Sequence, residues 1–389
     1  MTRLLVLFEY ASLNGGERSW LGSLDSIRAA GFDVTAAGPS EGPLAEELAR
    51  RDVPLLPLSY SNADGSRRAL DELRISLKET LSEHGTELLH ANSLSTSRIS
   101  GPVAAELGVP SIGHLRDIIK LSRAVIADIN CHTRLLAVSR ATRDFHIAQG
   151  LEADRVEVTF NGVDLQEFRP RSQSGYLHNE LNVPRDAPLI AAIGQVGLRK
   201  GFDVLLEAAA QLAEQQRTTD GRIEAARSAA NFPAPHFLII GERHSQKEES
   251  VRFEEQLHAA AAKPLLAGHV HFLSRRTDIA QLLPELSLLV HPARQEPLGR
   301  VLLEAAACGL PIIATKVGGT AEIFPAAESG AILVPADDAA AICQAMLRVL
   351  ADRTLAEQLG TAGRERMEQV FDHHQAADRL IDHYRALTP

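Results

Sequence analysis

Short, mostly apolar runs alternate along the chain with longer runs in which apolar residues recur every three or four positions. The short runs fall at 3–9, 32–39, 53–58, 87–93, 110–117, 134–139 and 155–164, then at 188–194, 236–242, just after 269, 288–291, 312–314 and 331–335. They lack strict two-residue alternation, so they read as strands buried on both faces of parallel sheets. The longer runs predict helices from about Glu17, near 42–51, over 66–84, 95–107, 119–130 and 140–149. Further helices are expected after Gly201, over 247–262, briefly before 288, and over 299–308, 338–352, 354–368 and 371–387. Local signals agree. Ser139 caps the helix at 140, Gly150 ends it, Gly309 and Pro311 stop the one at 299–308, and Asp337 or Asp338 caps the one at 338.

Strand–helix repetition of this kind specifies an α/β fold. Pro, Arg, Ser and Gly accumulate over 165–186, which marks a linker. The expected layout is a first doubly wound domain at 1–164, the linker, and a second at 187–370, with a helix at about 371–389 packing back on the first. Residues 213–235 are polar and alanine-rich and read as a surface excursion. Each half repeats βα units without a shared sequence period.

Composition narrows the class. The chain has 389 residues, 45% of them hydrophobic, and a net charge of −10, which argues against a general nucleic-acid binder. Cys131, Cys308 and Cys343 have no metal-ligand or disulfide spacing, as suits a reducing cytoplasm. The first apolar run is too short for a signal peptide, and none approaches the ~20 residues of a membrane span. A cytoplasmic protein is expected, with peripheral membrane contact on that face left open. Arg67, Arg68, Arg74 and Lys78 form the nearest basic helix face, read as solvated. His373 and His374 are also read as solvated, with no acids at ligand spacing, so no metal is expected.

The candidate chemistry gathers in 288–323, LLVHPARQEPLGRVLLEAAACGLPIIATKVGGTAEI. It is a strand, a polar loop, a helix, a second strand and a Gly-Gly loop. Open α/β sheets bind ligands in loops at the carboxyl ends of strands. Backbone amides around Gly299, Arg300 and Val301 open the helix and attract an anion. Glu296 in the loop and Glu304 within the helix supply two carboxylates to the same region, as a phosphorylated sugar ligand would require. Near the amino terminus, Asn14-Gly15-Gly16 forms a second strand-to-helix loop.

The run EPLGRVLLEAAACGLPIIAT resembles the paired-glutamate motif of retaining glycosyltransferases with two Rossmann-like domains, the GT-B fold, family 4 type. The likeness covers nearly the full length. It implies transfer of a sugar, with retained anomeric configuration, from a nucleotide diphosphate sugar. The acceptor would be a glycan, a lipid-linked acceptor or a small molecule. The base would sit at Ser274–Thr277 with Arg276, and Glu304 would hold the ribose. Lys200, Arg199 and the segment Leu298-Gly299-Arg300-Val301 would meet the diphosphate, and Gly15 and Gly16 would line the donor side. Glu296 would orient the donor sugar at the reacting carbon. His114, expected just after a strand, would position substrate, with Asn14, Arg116 and Asp117 on the acceptor side. Where the family has an arginine on the diphosphate, this chain has Gln195, which would keep a hydrogen bond to the donor but no charge, so that compensation would fall on Lys200 and Arg199. No cofactor is implied beyond the nucleotide sugar as co-substrate, and a UDP-sugar stands only slightly ahead of a GDP-sugar. Two other readings stay open at this point: a non-catalytic nucleotide-sugar-binding subunit and a nucleotide-sugar epimerase.

Overall fold

A computed structural model describes residues 1–62, 64–220, 232–326 and 329–388, with the side chains of 218–220 left aside. The chain divides into two compact units, Met1–Gly162 with Phe371–Pro389, and Val163–Val370.

The first unit is built on seven parallel strands: β1 (Thr2–Leu7), β2 (Phe32–Gly38), β3 (Leu55–Pro57), β4 (Leu88–Ala91), β5 (Ser111–Leu115), β6 (Arg134–Ala137) and β7 (Val156–Val158). Their order is β3-β2-β1-β4-β5-β6-β7. Strand β1 shows why its residues are apolar without alternation. Leu4 and Val6 join a core on one face with Trp20, Leu24 and Tyr384, while Leu5 and Leu7 join Leu73, Leu77 and Leu89 on the other. A strand with both faces covered has no solvent side for polar residues. The last helix, His373–Arg385, completes the first core through Leu380, Ile381 and Tyr384.

The second unit has six parallel strands: β8 (Leu189–Ile193), β9 (His236–Ile240), β10 (Val270–Leu273), β11 (Leu288–His291), β12 (Ile312–Thr315) and β13 (Ala331–Val334). Their order is β10-β9-β8-β11-β12-β13. In both sheets the winding reverses once, between β1 and β4 and between β8 and β11. Neighbouring loops leave such a point in opposite directions, and the crevice they open is where doubly wound sheets take ligands.

Ser139 caps as expected, its hydroxyl accepting from the Thr142 amide at 3.0 Å. Asp338 rather than Asp337 caps the helix Ala339–Ala351, accepting from the Ala341 amide at 2.8 Å. The segment read as linker contains a helix, Tyr176–Leu181, with Leu177 and His178 buried. Its ends, Gly175 and Asn182, are left-handed at φ 74° and 54°. The turn residues that suggested a linker therefore bracket one short helix, too brief to show a period. Buried Glu285 fastens it, accepting from the amides of Ser174 at 2.6 Å and Gly175 at 2.7 Å. A second short helix, Thr320–Ile323, follows the Gly-Gly loop that was expected to remain irregular. The excursion placed at 213–235 begins as the end of the helix Phe202–Asp220, and its residues 221–231 lie outside the described residues.

Candidate active site

In the second unit, the loops leaving β8 and β11 bring together two of the expected site residues, Lys200 and Glu296. After β8 the chain passes Gly194 and exposed Gln195, makes a 3₁₀ turn at Leu198–Lys200, and enters a helix at Phe202. A β-carbon on Gly194 would stand 3.2 Å from Lys200 Cε, so the glycine makes room for the lysine stem. After β11 the chain turns back through Pro292 to Glu296. Lys200 Nζ donates to Glu296 Oε2 at 2.5 Å, and His291 Nε2 donates to the same oxygen at 2.9 Å. Both charged side chains are nearly buried, at 12% and 8% exposure. Burial alone would raise the Glu296 carboxyl, but the Lys200 ammonium and the His291 hydrogen bond outweigh it and hold the group well below the usual carboxylate range. Burial lowers His291, and the Glu296 contact partly offsets this.

The Gly318-Gly319 pair supports Glu296 from behind. A β-carbon on Gly318 would fall 1.9 Å from the Glu296 carbonyl oxygen, and one on Gly319 2.4 Å from that of Pro297. The Gly319 amide donates to the Glu296 carbonyl at 3.0 Å. Gly299 begins the helix Arg300–Ala307 at φ 103°, where a β-carbon would meet Leu302 at 2.8 Å.

The remaining donor-side expectations divide. Arg300 and Glu304 pair with each other across one helical turn at 2.7 Å, half-buried. Leu298 is only 2% exposed, so its side chain is core and only its backbone is left for a ligand. Arg199 lies half-buried beside Lys200, and Val301 is also half-buried. Arg276 is committed to Glu180 at 2.5 Å and Asp278 at 2.7 Å. Its hydrogen bond lowers the Asp278 carboxyl, and Tyr176 Oη also donates to Asp278, at 3.1 Å. The loop at 274–278 is thereby tied to the short helix that the sequence reading missed.

In the first unit, the loop after β1 leads into the helix Gly15–Leu21. The Asn14 amide donates to Glu17 Oε2 at 3.0 Å, and the Asn14 side chain donates to Ser12 at 2.8 Å. Glu17 is buried, which raises its carboxyl. A β-carbon on Gly16 would touch Arg116 Cδ at 3.0 Å. Arg116 joins three segments, donating to the Asn92 carbonyl at 3.0 Å, to Asn92 Oδ1 at 2.8 Å and to Asn161 Oδ1 at 2.9 Å. The Asp117 carbonyl accepts from His146 at 2.8 Å.

His114 is not just past the strand, as expected, but is the fourth residue of β5, and only 3% exposed. Its Nδ1 lies 3.1 Å from Arg116 Nη2 and 3.2 Å from His90 Nε2. His90 in turn reaches Tyr384 Oη at 2.5 Å. His291, His90 and Tyr384 were not singled out from sequence. His291 carried a local cue, five residues before Glu296. Tyr384 carried none, lying 294 residues from His90.

Among the described residues, one group of three potential metal ligands stands together: Asp372, His373 and His374. The expectation that no acid lay near this histidine pair is therefore corrected. Asp372 caps the last helix, accepting from the His374 amide at 2.6 Å. His374 is exposed, but His373 packs beneath Gly162, whose β-carbon would meet its Cα at 2.4 Å, so only half of the pair is solvated.

A family model described as "Glycosyl transferases group 1" matches residues 176–366, and one described as "Glycosyltransferase Family 4" matches residues 13–167. The chain belongs to the family 4, group 1 glycosyltransferases. Among curated relatives, a D-inositol 3-phosphate glycosyltransferase 1 from Catenulispora acidiphila is 26% identical over 371 residues, spanning 90% of this chain and 84% of that protein. An alpha-maltose-1-phosphate synthase from Mycobacterium tuberculosis is 29% identical over 263 residues, or 64% of this chain and 62% of that protein. Among solved structures, Anabaena Alr3699/HepE in complex with UDP and glucose superposes over the whole of both chains, with a TM-score of 0.83 at 20% identity. The lipopolysaccharide glycosyltransferase WaaG matches over 98% of each chain, with a TM-score of 0.71 at 19% identity. Both units of this glycosyltransferase thus have the Rossmann-like parallel sheets of the GT-B fold. Among the described residues, no helix is long and apolar enough to cross a membrane.

Proposed function

We propose that this glycosyltransferase moves a sugar, with retained anomeric configuration, from a nucleotide diphosphate sugar to an acceptor hydroxyl. UDP is the preferred nucleotide. The observation that carries this reading is the buried Lys200–Glu296–His291 cluster at the winding reversal of the second sheet. A lysine held there by a carboxylate is a preformed cation. It can turn to a diphosphate whose charge grows as the glycosidic bond breaks, which is where electrostatic stabilisation acts most strongly. Arg199 and the amides at Gly299–Val301 share that charge. Glu296 orients the donor sugar, Glu304 accepts from the ribose hydroxyls, and the loop at Ser274–Thr277 receives the base, with Arg276 holding its shape. In the first unit, His114 is assigned to substrate positioning, with Asn14, Arg116 and Asp117 on the acceptor side. With Lys200 as the cation, the transfer requires no metal. Support for UDP comes from the HepE structures, which are complexes with UDP, with UDP and glucose, and with UDP-glucose.

The test is turnover of UDP-glucose and GDP-sugars by the purified chain and by Glu296→Gln. Loss of at least one hundredfold in the variant is expected, with the anomeric configuration of the wild-type product retained by NMR. An inverted product would overturn the retaining assignment.

A further inference from the structure

A run of hydrogen bonds in the first unit has its direction fixed by the chemistry of its first member. An indole N–H donates and cannot accept. The 3.1 Å contact from Trp20 Nε1 therefore makes Tyr384 Oη an acceptor. The Tyr384 proton then goes to the oxygen's other neighbour, His90 Nδ1, at 2.5 Å. A neutral imidazole that accepts at Nδ1 carries its proton on Nε2. That nitrogen faces His114 Nδ1 at 3.2 Å, so His114 accepts there as well. An independent donor agrees: Arg116 Nη2, which cannot accept, lies 3.1 Å from the same His114 Nδ1. The proton of His114 is left on Nε2.

The reverse arrangement fails at both ends. A proton on His90 Nδ1 would point two donors at the Tyr384 oxygen and leave the tyrosine hydroxyl without an acceptor. A proton on His114 Nδ1 would meet the Arg116 N–H group head-on.

We propose that Trp20, Tyr384 and His90 are positioning residues that lock His114 as the neutral Nε2–H tautomer, so that it serves as a hydrogen-bond donor to a ligand oxygen and not as a base. His114 Nε2 is buried and has no partner among the described residues. Its ring lines a cavity of about 20 Å³ with Ser19, Thr159, Asn161 and His373, room for one oxygen atom of a water or a hydroxyl. The groups facing the pair oppose a second proton. Arg116 after β5 donates to His114 and Tyr384 on the last helix donates to His90, while burial also disfavours a second proton on the neighbouring His383 of that helix and on His132 before β6. Burial first and Arg116 second hold both rings well below the ordinary imidazole value. For the reaction, a donor-only His114 cannot take the acceptor's proton, which must leave by another group.

The ligand-facing role rests on the substrate-positioning assignment above; the tautomer does not, and its test needs no turnover. The full chain is labelled with ¹⁵N-histidine, and ring-nitrogen spectra are recorded from pH 5.5 to 8.5, with His114→Gln and His90→Gln to assign the signals. Expected are acceptor-type Nδ1 and protonated Nε2 resonances for both rings at every pH. Tyr384→Phe, which removes only the hydroxyl, should shift His90 toward mixed tautomers, with His114 following only in part because Arg116 still donates to its Nδ1, and with neither ring titrating in this range because burial persists. Should that variant fail to fold by circular dichroism, Trp20→Phe replaces it, with the same shift expected. A wild-type His114 carrying its proton on Nδ1, or a folded variant with unchanged spectra, would overturn the proposal. An inactive but correctly tautomeric wild type would count against the transfer reading alone.

Discussion

In the second unit, the loops leaving β8 and β11 bury a lysine against a glutamate. In the first unit, strands β4 and β5, next to the reversal, bury two histidines. The first arrangement concentrates opposite charges, 2.5 Å apart, where water is scarce. The second keeps charge off its rings, since Tyr384 donates to His90 and Arg116 donates to His114, which leaves neither bonded nitrogen free for a second proton. The same kind of topological position thus supports two electrostatic designs. A site for a diphosphate needs a cation kept in place before the ligand arrives. A site that orients neutral hydroxyls needs fixed donors and acceptors. Topology supplies the place, and the residues entering it set the sign.

The comparison can be broken most severely at its charged half. Lys200→Ala should lower turnover of the preferred nucleotide sugar by about a thousandfold. It should also cost about 3 kcal/mol of stability, because Glu296 is left buried with only His291 as partner. Steady-state kinetics and a urea midpoint read both effects, and a loss of less than tenfold would remove Lys200 from the reaction. Gly318→Ala strikes the support instead. The added β-carbon must displace the Glu296 backbone, so turnover should fall by about tenfold to a hundredfold with the nucleotide still binding, which separates kcat from Kd.

The pH dependence of stability sharpens the contrast. The Glu296 carboxyl is depressed in the folded state, so its contribution is fully present above the unfolded value near 4.5 and is lost as pH falls towards the folded value. Wild type should therefore exceed Glu296→Gln in stability at pH 7, and the gap should narrow below about pH 4.5. Denaturant midpoints for the two proteins at pH 7 and pH 4 give the comparison, and a gap that widens towards acid would contradict the assigned pairing. The smallest effect is expected at Arg276→Ala, which releases the loop at 274–278 from Glu180. KM for the donor should rise by about fivefold, with kcat nearly unchanged.

Much of this was legible before any coordinates. The uninterrupted apolar runs announced strands covered on both faces, and the spacing from Glu296 to Glu304 announced a loop followed by a helix. What could not be read were partnerships across long separations. Lys200 and Glu296 are 96 residues apart, and nothing local says that one nearly buries the other. Tyr384 meets His90 only because the last helix returns to the first unit. The helix Tyr176–Leu181 was hidden because its caps, Gly175 and Asn182, are the residues that also mark linkers. Leu298 was taken for a ligand contact because it stands in the motif, whereas its side chain serves the core and only its backbone is left for a ligand.

The central claim is that a diphosphate docks on the lysine that Glu296 holds in reserve. Thermal unfolding of wild type and Lys200→Ala with saturating UDP, GDP or ADP tests it directly. At about 100 times its dissociation constant a ligand stabilises by roughly 2.7 kcal/mol. The account predicts a clear rise in Tm for wild type, largest with UDP, that nearly disappears in Lys200→Ala. An equal rise in both proteins would show that the nucleotide binds without this lysine, and would contradict the account.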